Sequence, residues 1–247
     1  MSMLRTAKEL VRHSITELGL AGLHARIRKA MGQNVDHLFA SSLVDRFSQI
    51  YTNRVWLNNR GSGSLSGLGS EQEFTETIRK QLPQLLESIG SKVLLDVGCG
   101  DFNWMKNIQL PCTYVGVDIV REVIDANIAK YSAETRTFRT LDATSEPLPP
   151  GPDTVLCREV LFHLCFSDIW RLIENVQRSG AAFLVATNDS DLTMNANILS
   201  GDFRSLNLRK APFFFPSPIS SISDSAISPG RILAVWRVAE IRQRPSR

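Results

Sequence analysis

The chain has no C-x-x-C pair among its four cysteines, Cys99, Cys112, Cys157 and Cys165. That argues against a zinc site and against a disulfide framework. Three of the four lie in or beside apolar segments, as small buried hydrophobes do, a usage that suits a reducing compartment. No apolar run approaches the roughly 20 residues of a membrane span. Arg5, Lys8, Glu9, Arg12 and His13 break up the first stretch, so no signal peptide is read and a cytoplasmic location is expected. Charge of one sign is also scarce: 28 Lys and Arg against 25 Asp and Glu leave +3, too weak a balance for a nucleic-acid binder. The basic residues are uneven, at Arg26, Arg28, Lys29, Arg46, Arg54 and Arg60 and again at Arg237, Arg242, Arg244 and Arg247. They read as solvated surface, the alternative being contact with an acidic surface or a phosphate-bearing substrate. There is no internal repeat and no low-complexity tract.

What is present is 247 residues, 43% of them hydrophobic, enough for one well-packed domain plus an appendage. Residues 1–60 read as a helical extension. Leu4, Ala7, Val11, Ile15 and Leu18 fall at helical spacing, and Ile27, Ala30 and Met31 suggest a second segment. The first helix packs on the domain or a partner, or lies on a membrane surface with Arg5, Lys8 and Arg12 flanking its apolar face. Residues 61–69, a Gly-Ser run, have the composition of a flexible linker. Glu71 to Ile89 forms an amphipathic helix through Phe74, Ile78, Leu82, Leu85 and Leu86. Beyond it, strands are expected near 92–97, 113–118, 137–141, 153–157, 181–187 and 231–238, and helices near 103–108, 120–131 and 167–178. The alternation predicts an α/β domain over 61–247, a mostly parallel twisted sheet with helices on both faces. Pro212, Pro216 and Pro218 exclude a central strand at 211–218, which reads as a buried loop.

A second absence marks the most informative stretch, residues 93–105. Val93 to Leu95 fit a buried parallel strand, and Gly98 and Gly100 allow a sharp turn and a close approach of backbone to ligand. Asn103 occupies the place of the third glycine of a dinucleotide fingerprint, and Asp101 would repel a pyrophosphate there. The strand ending in Asp96-x-Gly98-x-Gly100 resembles instead the pattern of class I S-adenosylmethionine (SAM) methyltransferases. In such a sheet, ligands bind beyond the carboxyl ends of the strands. Asp118, ending the second strand, is placed to accept from a ribose diol, and Asp142, after the third, from an adenine amino group. Asp101 would suit the amino group of SAM. Taken singly, Asp118 or Asp142 is as well read as a helix N-cap, and NAD is the competing cofactor. Phe102 and Trp104 either pack in the core or wall the sulfonium.

His163 lies just past the fourth strand, either as a structural histidine or as a general base for a hydroxyl nucleophile, with Arg158 and Glu159 orienting it or touching substrate. Asp189, in the run 188–191 ending the fifth strand, is a second candidate base, a turn residue or a weak cation ligand; no metal is expected. Phe213, Phe214 and Phe215 are candidates for an apolar wall.

From roughly residue 43 to 238 the order of blocks resembles a family of small bacterial class I methyltransferases. The matching residues are Trp56, the run 62–70, Cys99 to Met105, Val117 to Val120, Ala126-Asn127, Leu156 to Glu159 with His163-Leu164, residues 200–208, Pro212-Phe213 and Trp236. The resemblance implies a Rossmann-like fold, SAM as cofactor, and a Gly-Ser run that folds over it. The expected cofactor-binding set is Trp56, Asp96, Gly98, Cys99, Gly100, Asp101, Asn103, Trp104, Asp118, Ile119, Asp142, Ala143 and Arg158, with His163 and Asp189 catalytic. The sequence departs from the pattern where Ala186-Thr187-Asn188 replaces Thr-Thr-Phe and where Phe203 replaces Trp. As a whole the chain is similar to the fucosyl 2-O-methyltransferases acting on lipo-chitooligosaccharide nodulation signals. This implies O-methylation of a small-molecule, oligosaccharide or glycolipid acceptor.

Overall fold

A computed structural model describes residues 11–57 and 63–244. Leu4, Arg5, Ala7 and Lys8 of the first expected helix, Arg60, the first two residues of the Gly-Ser run and Arg247 lie outside the described residues.

Seven strands form one sheet: β1 (Val93–Val97), β2 (Thr113–Asp118), β3 (Arg136–Thr140), β4 (Thr154–Cys157), β5 (Phe183–Asp189), β6 (Ser220–Ser223) and β7 (Arg231–Arg237). Their order is β3-β2-β1-β4-β5-β7-β6. β1 to β5 pair in parallel, and β7 runs antiparallel between β5 and β6. The order reverses between β1 and β4, so a crevice opens at the carboxyl ends of those two strands.

Alternation along each strand divides the core between the two faces. Leu95 and Val97 of β1 pack with Val155, Leu184, Ala234 and Trp236 under α6 (Phe166–Ser179). That helix buries Ile169, Leu172, Ile173 and Val176 at helical spacing and ends at the left-handed Gly180, φ +81°. Leu94, of opposite parity, packs with Leu156, Val185 and Leu233 under α4 (Glu76–Ser88), through Ile78, Leu82, Leu85 and Leu86. Each such side chain stabilises the fold by about 1.5–3 kcal/mol. Ile124 of α5 (Arg121–Tyr131) joins that face.

Ahead of the sheet lie α1, described over 11–17, α2 (Ala21–Ala30) and α3 (Leu43–Thr52), whose N-terminus Ser42 caps by accepting from the Asp45 amide at 3.0 Å. These helices converge on residues 197–203. Arg12 donates to the Phe203 carbonyl at 2.5 Å, Thr16 to that of Asn197 at 3.0 Å, and Arg46 to that of Ser200 at 2.9 Å. Arg28 pairs with Asp202 at 2.7 Å.

Three expectations change. No helix forms over 103–108; residues 101–107 make turns. The buried Phe102 is drawn into a cluster with Tyr114, Tyr131 and Phe138, centroids 5.1, 5.2 and 5.1 Å away, at a left-handed φ of +58° that a helix cannot continue. The helix expected from Glu71 begins at Glu76, because residues 68–74 form two short 3₁₀ turns. The strand Ser220–Ser223 had no signal, since three of its four residues are serine; it forms by pairing with β7. Among the described residues no helix is long and apolar enough to cross a membrane.

Candidate active site

The Gly98–Gly100 turn sits at the crevice, tied to β2 by two amides that donate to the Val117 carbonyl at 2.8 and 3.1 Å. Gly98 and Gly100 are left-handed, φ +72° and +56°. Their missing side chains make room chiefly for protein. A Cβ on Gly100 would stand 2.3 Å from Ser66 Oγ, and one on Gly98 2.4 Å from Val160 Cγ2.

Ser66 belongs to the Gly-Ser run, which is no free linker where it is described. Asp101 gathers it. Its carboxylate accepts from the hydroxyl of Ser64 at 3.1 and 3.0 Å, from the Leu65 amide at 2.7 Å and from the Ser66 hydroxyl at 3.2 Å. The Asp101 amide donates back to Ser66 Oγ at 3.0 Å. Asn103 Nδ2 donates to the Ser70 carbonyl at 2.9 Å, and Arg158 Nη1 to that of Gly69 at 2.6 Å. Residues 63–70 are thus a strap across the glycine turn.

Under the strap lies a cavity of about 880 Å³, counting its open mouth. Of the sequence-predicted cofactor set, Trp56, Gly98, Cys99, Gly100, Trp104, Asp118, Ile119, Asp142, Ala143 and Arg158 line it together. Asp96, Asp101 and Asn103 do not. Asp96 shares the parity of Leu94 and turns to the other face, where it accepts from the Tyr114 hydroxyl at 2.7 Å. Burial pushes its pKa up to about 7. Asp101 and Asn103 are committed to the strap, so Asp101 is not the partner of a cofactor amino group. Phe47 and Tyr51 of α3, and Ser66 and Ser70 of the strap, line the cavity as well and lie outside the predicted set. The resemblance, which folds the Gly-Ser run over the cofactor, pointed to the two serines, whereas nothing in the sequence marked Phe47 or Tyr51.

Asp118 accepts from the amides of Gly100 and Val120, both at 3.0 Å. Burial raises its pKa, opposed by those amides. A carboxylate offers about four acceptor positions, so Asp118 retains capacity for a diol. Asp142 caps its own turn, accepting from the Thr144 amide at 2.9 Å and the Ser145 hydroxyl at 2.8 Å. Three carboxyl groups line the cavity (Asp118, Asp142, Glu159), against one guanidinium, Arg158, itself bridged to Asp224 at 3.0 Å. Arg158 also lies over the Trp104 ring at 4.9 Å. Excess acid and several aromatic faces suit a cationic ligand. They oppose a diphosphate, and no helix N-terminus follows the glycine turn to hold one.

His163 stands at the far wall. Its Nδ1 is 2.9 Å from the Asp202 carbonyl, which can only accept, so Nδ1 bears the proton and Nε2 is left as the basic nitrogen. The ring stacks on Trp56, centroids 4.7 Å apart at 30°. Burial lowers its pKa to about 4, and the Asp202 hydrogen bond only partly offsets this. His163, Trp56, Glu159 and Ser66 also line a larger outer cleft of about 1360 Å³. They form the partition between the two spaces.

Asp189 is not available as a base. It is buried, paired with Arg231 Nε at 3.2 Å, and accepts from the Leu206 amide at 3.0 Å. It lines neither space, and the pairing removes it as a cation ligand too. Among the described residues no three or more His, Cys, Asp or Glu side chains gather as a metal site. The wall expected from residues 213–215 is also absent. Phe213 and Phe215 pack in the core against Trp170 and Trp236, and Phe214 lies under Arg242.

A family model described as a methyltransferase domain matches residues 95–184, which span β1 to the start of β5. No curated protein sequence matches the chain. Human N-acetylserotonin methyltransferase, solved with SAM, is 14% identical with a TM-score of 0.58, covering 94% of this chain and 69% of that one. The N-methyltransferase NodS of Bradyrhizobium japonicum is 16% identical with a TM-score of 0.49, covering 68% and 98%. The sheet order, the methyltransferase-domain match and the likeness to the N-acetylserotonin methyltransferase make this the Rossmann-like fold of the class I SAM-dependent methyltransferases.

Proposed function

We propose that the protein binds SAM in the inner cavity and methylates a hydroxyl oxygen, with a sugar as the acceptor and the 2-hydroxyl of fucose on a lipo-chitooligosaccharide as the candidate. The observation that carries this reading is His163: a neutral imidazole with its proton anchored on Nδ1, set in the partition between a cation-suited cavity and an open cleft.

Asp118 would hold the ribose hydroxyls, Ile119 and Ala143 would flank the base, and Trp56, Tyr51 and Trp104 would enclose the cationic end. When bound, SAM supplies a methyl group on a sulfonium and leaves as a neutral thioether. A sugar hydroxyl is a very weak acid, so a base that takes its proton as oxygen bonds to carbon raises the rate. His163 Nε2 is free of a proton at neutral pH and does this. The strap and the Trp56 stack exclude water, and positioning supplies much of the remaining acceleration.

Incubation with labelled SAM and fucosylated chitooligosaccharides should give labelled acceptor and S-adenosylhomocysteine. His163→Ala should lose roughly 10²- to 10⁴-fold in kcat, the usual span for a general base, with SAM affinity by calorimetry unchanged. Full turnover by His163→Ala would remove it from the mechanism. SAM binding without S-adenosylhomocysteine from sugar, small-metabolite or peptide acceptors would leave a non-catalytic SAM-binding protein.

A further inference from the structure

The outer cleft has a definite chemistry. One wall is aromatic: Phe162 and Phe203 meet edge to face at 5.1 Å, and Phe203 is 5.8 Å from the His163 ring. Phe203 is 45% exposed at the rim of the cleft. Glu159 also lines the cleft, a non-glycine residue at φ +58°, held by its amide donating to Thr187 Oγ1 at 2.8 Å. Backbone of this kind costs about 1–3 kcal/mol and persists where surroundings over-determine it, often at functional sites. Arg231 Nη1 bonds Glu159 Oε1 at 2.8 Å and lies over the Phe162 ring at 4.9 Å. The strap presses on the same group: a Cβ on Gly69 would stand 1.4 Å from Glu159 Oε2.

Charge decides what fits. Arg12 and Arg231 line the cleft against Glu159, and Asp189 backs Arg231, so two basic groups meet two acidic ones. Neither an anion nor an ammonium gains from that balance. A neutral ring with an apolar C–H face and hydroxyl edges gains from both the phenyl wall and the carboxylate.

We propose that the outer cleft seats the acceptor, and that Phe203 and Glu159 select a neutral ring bearing neighbouring hydroxyls. Phe203 packs on its C–H face, and Glu159 Oε2 accepts from the hydroxyl beside the one that meets His163. This rests on the hydroxyl methylation proposed above. A site built to bond a hydroxyl rejects the analogue lacking it strongly.

The test measures S-adenosylhomocysteine release with methyl α-L-fucopyranoside and its 3-deoxy analogue as acceptors. The full-length protein should prefer the complete glycoside at least about 100-fold in kcat/KM. Phe203→Ala, at a rim position that leaves folding intact, should raise the glycoside KM about tenfold with kcat and SAM affinity little changed. Glu159→Gln should narrow the preference between the two acceptors at least about tenfold. Equal use of the two acceptors, or an unchanged KM in Phe203→Ala, overturns the inference. So does SAM binding with glycosides neither methylated nor seen to bind by saturation-transfer NMR. Failure to bind SAM overturns the earlier proposal instead.

Discussion

A histidine whose pKa falls from 6.5 to about 4 is neutral throughout the physiological range, and its stability consequence has a definite sign. Between those values the unfolded chain takes up a proton that the folded chain refuses, so stability falls as pH falls through that window. His37, also lowered mainly by burial, acts in the same direction. His163→Gln should therefore flatten the loss of melting temperature between about pH 6.5 and pH 4, read by calorimetry. Asp96 behaves oppositely. Its carboxyl keeps a proton up to about pH 7 when folded and releases it near 3.8 when unfolded, so stability falls as pH rises between them. Asn at this position still accepts from Tyr114. Asp96→Asn should raise the melting temperature at about pH 8 by an amount worth a few kcal/mol at most, and change little near pH 4. An equal effect at both pH values would show that Asp96 is ionised in the fold.

At the scale of elements, one side chain gathers most of the strap. Asp101 accepts from Ser64, Leu65 and Ser66, and charge-assisted bonds of this kind contribute about 1.5–3 kcal/mol each at most. Asp101→Ala should release residues 63–70, weaken SAM binding about tenfold or more, and open the segment to limited proteolysis, while the sheet melts nearly as before. Gly69→Ala should act through geometry alone. The new methyl would displace either the strap or the Glu159 carboxylate, and turnover should fall more than stability. Glycine's absent Cβ matters here for a contact within the chain, which composition could not distinguish from a linker.

For the whole molecule, residue 60 does not separate an appendage from a site. Leu43, Phe47, Tyr51 and Trp56 wall the cavity, and Arg12, Thr16, Arg28 and Arg46 anchor their helices to residues 197–203. A chain beginning at residue 61 should keep its sheet by circular dichroism and lose measurable SAM binding; retained affinity would return the N-terminal helices to a purely structural role. β1 and β4 were legible because a strand buried on both faces must be a continuous apolar run, as Val93 to Leu95 and Val155 to Cys157 are. Ser220–Ser223 carries no such run and was invisible, since its pairing is supplied by β7.

By itself the sequence determined the strand–helix alternation, the glycine turn and the acid ending β2, because those depend on local backbone geometry and on side chains within a few residues. It also placed His163 at the ligand edge, since strand ends follow from strand positions. Only the tertiary structure decided which acids were free. Asp101, Asp142 and Asp189 look alike as acids after strands. One holds the strap, one caps its own turn, and one is buried against Arg231, 42 residues further on. A carboxylate's role is set by which donors reach it, and for Asp101 and Asp189 those donors arrive from distant parts of the chain.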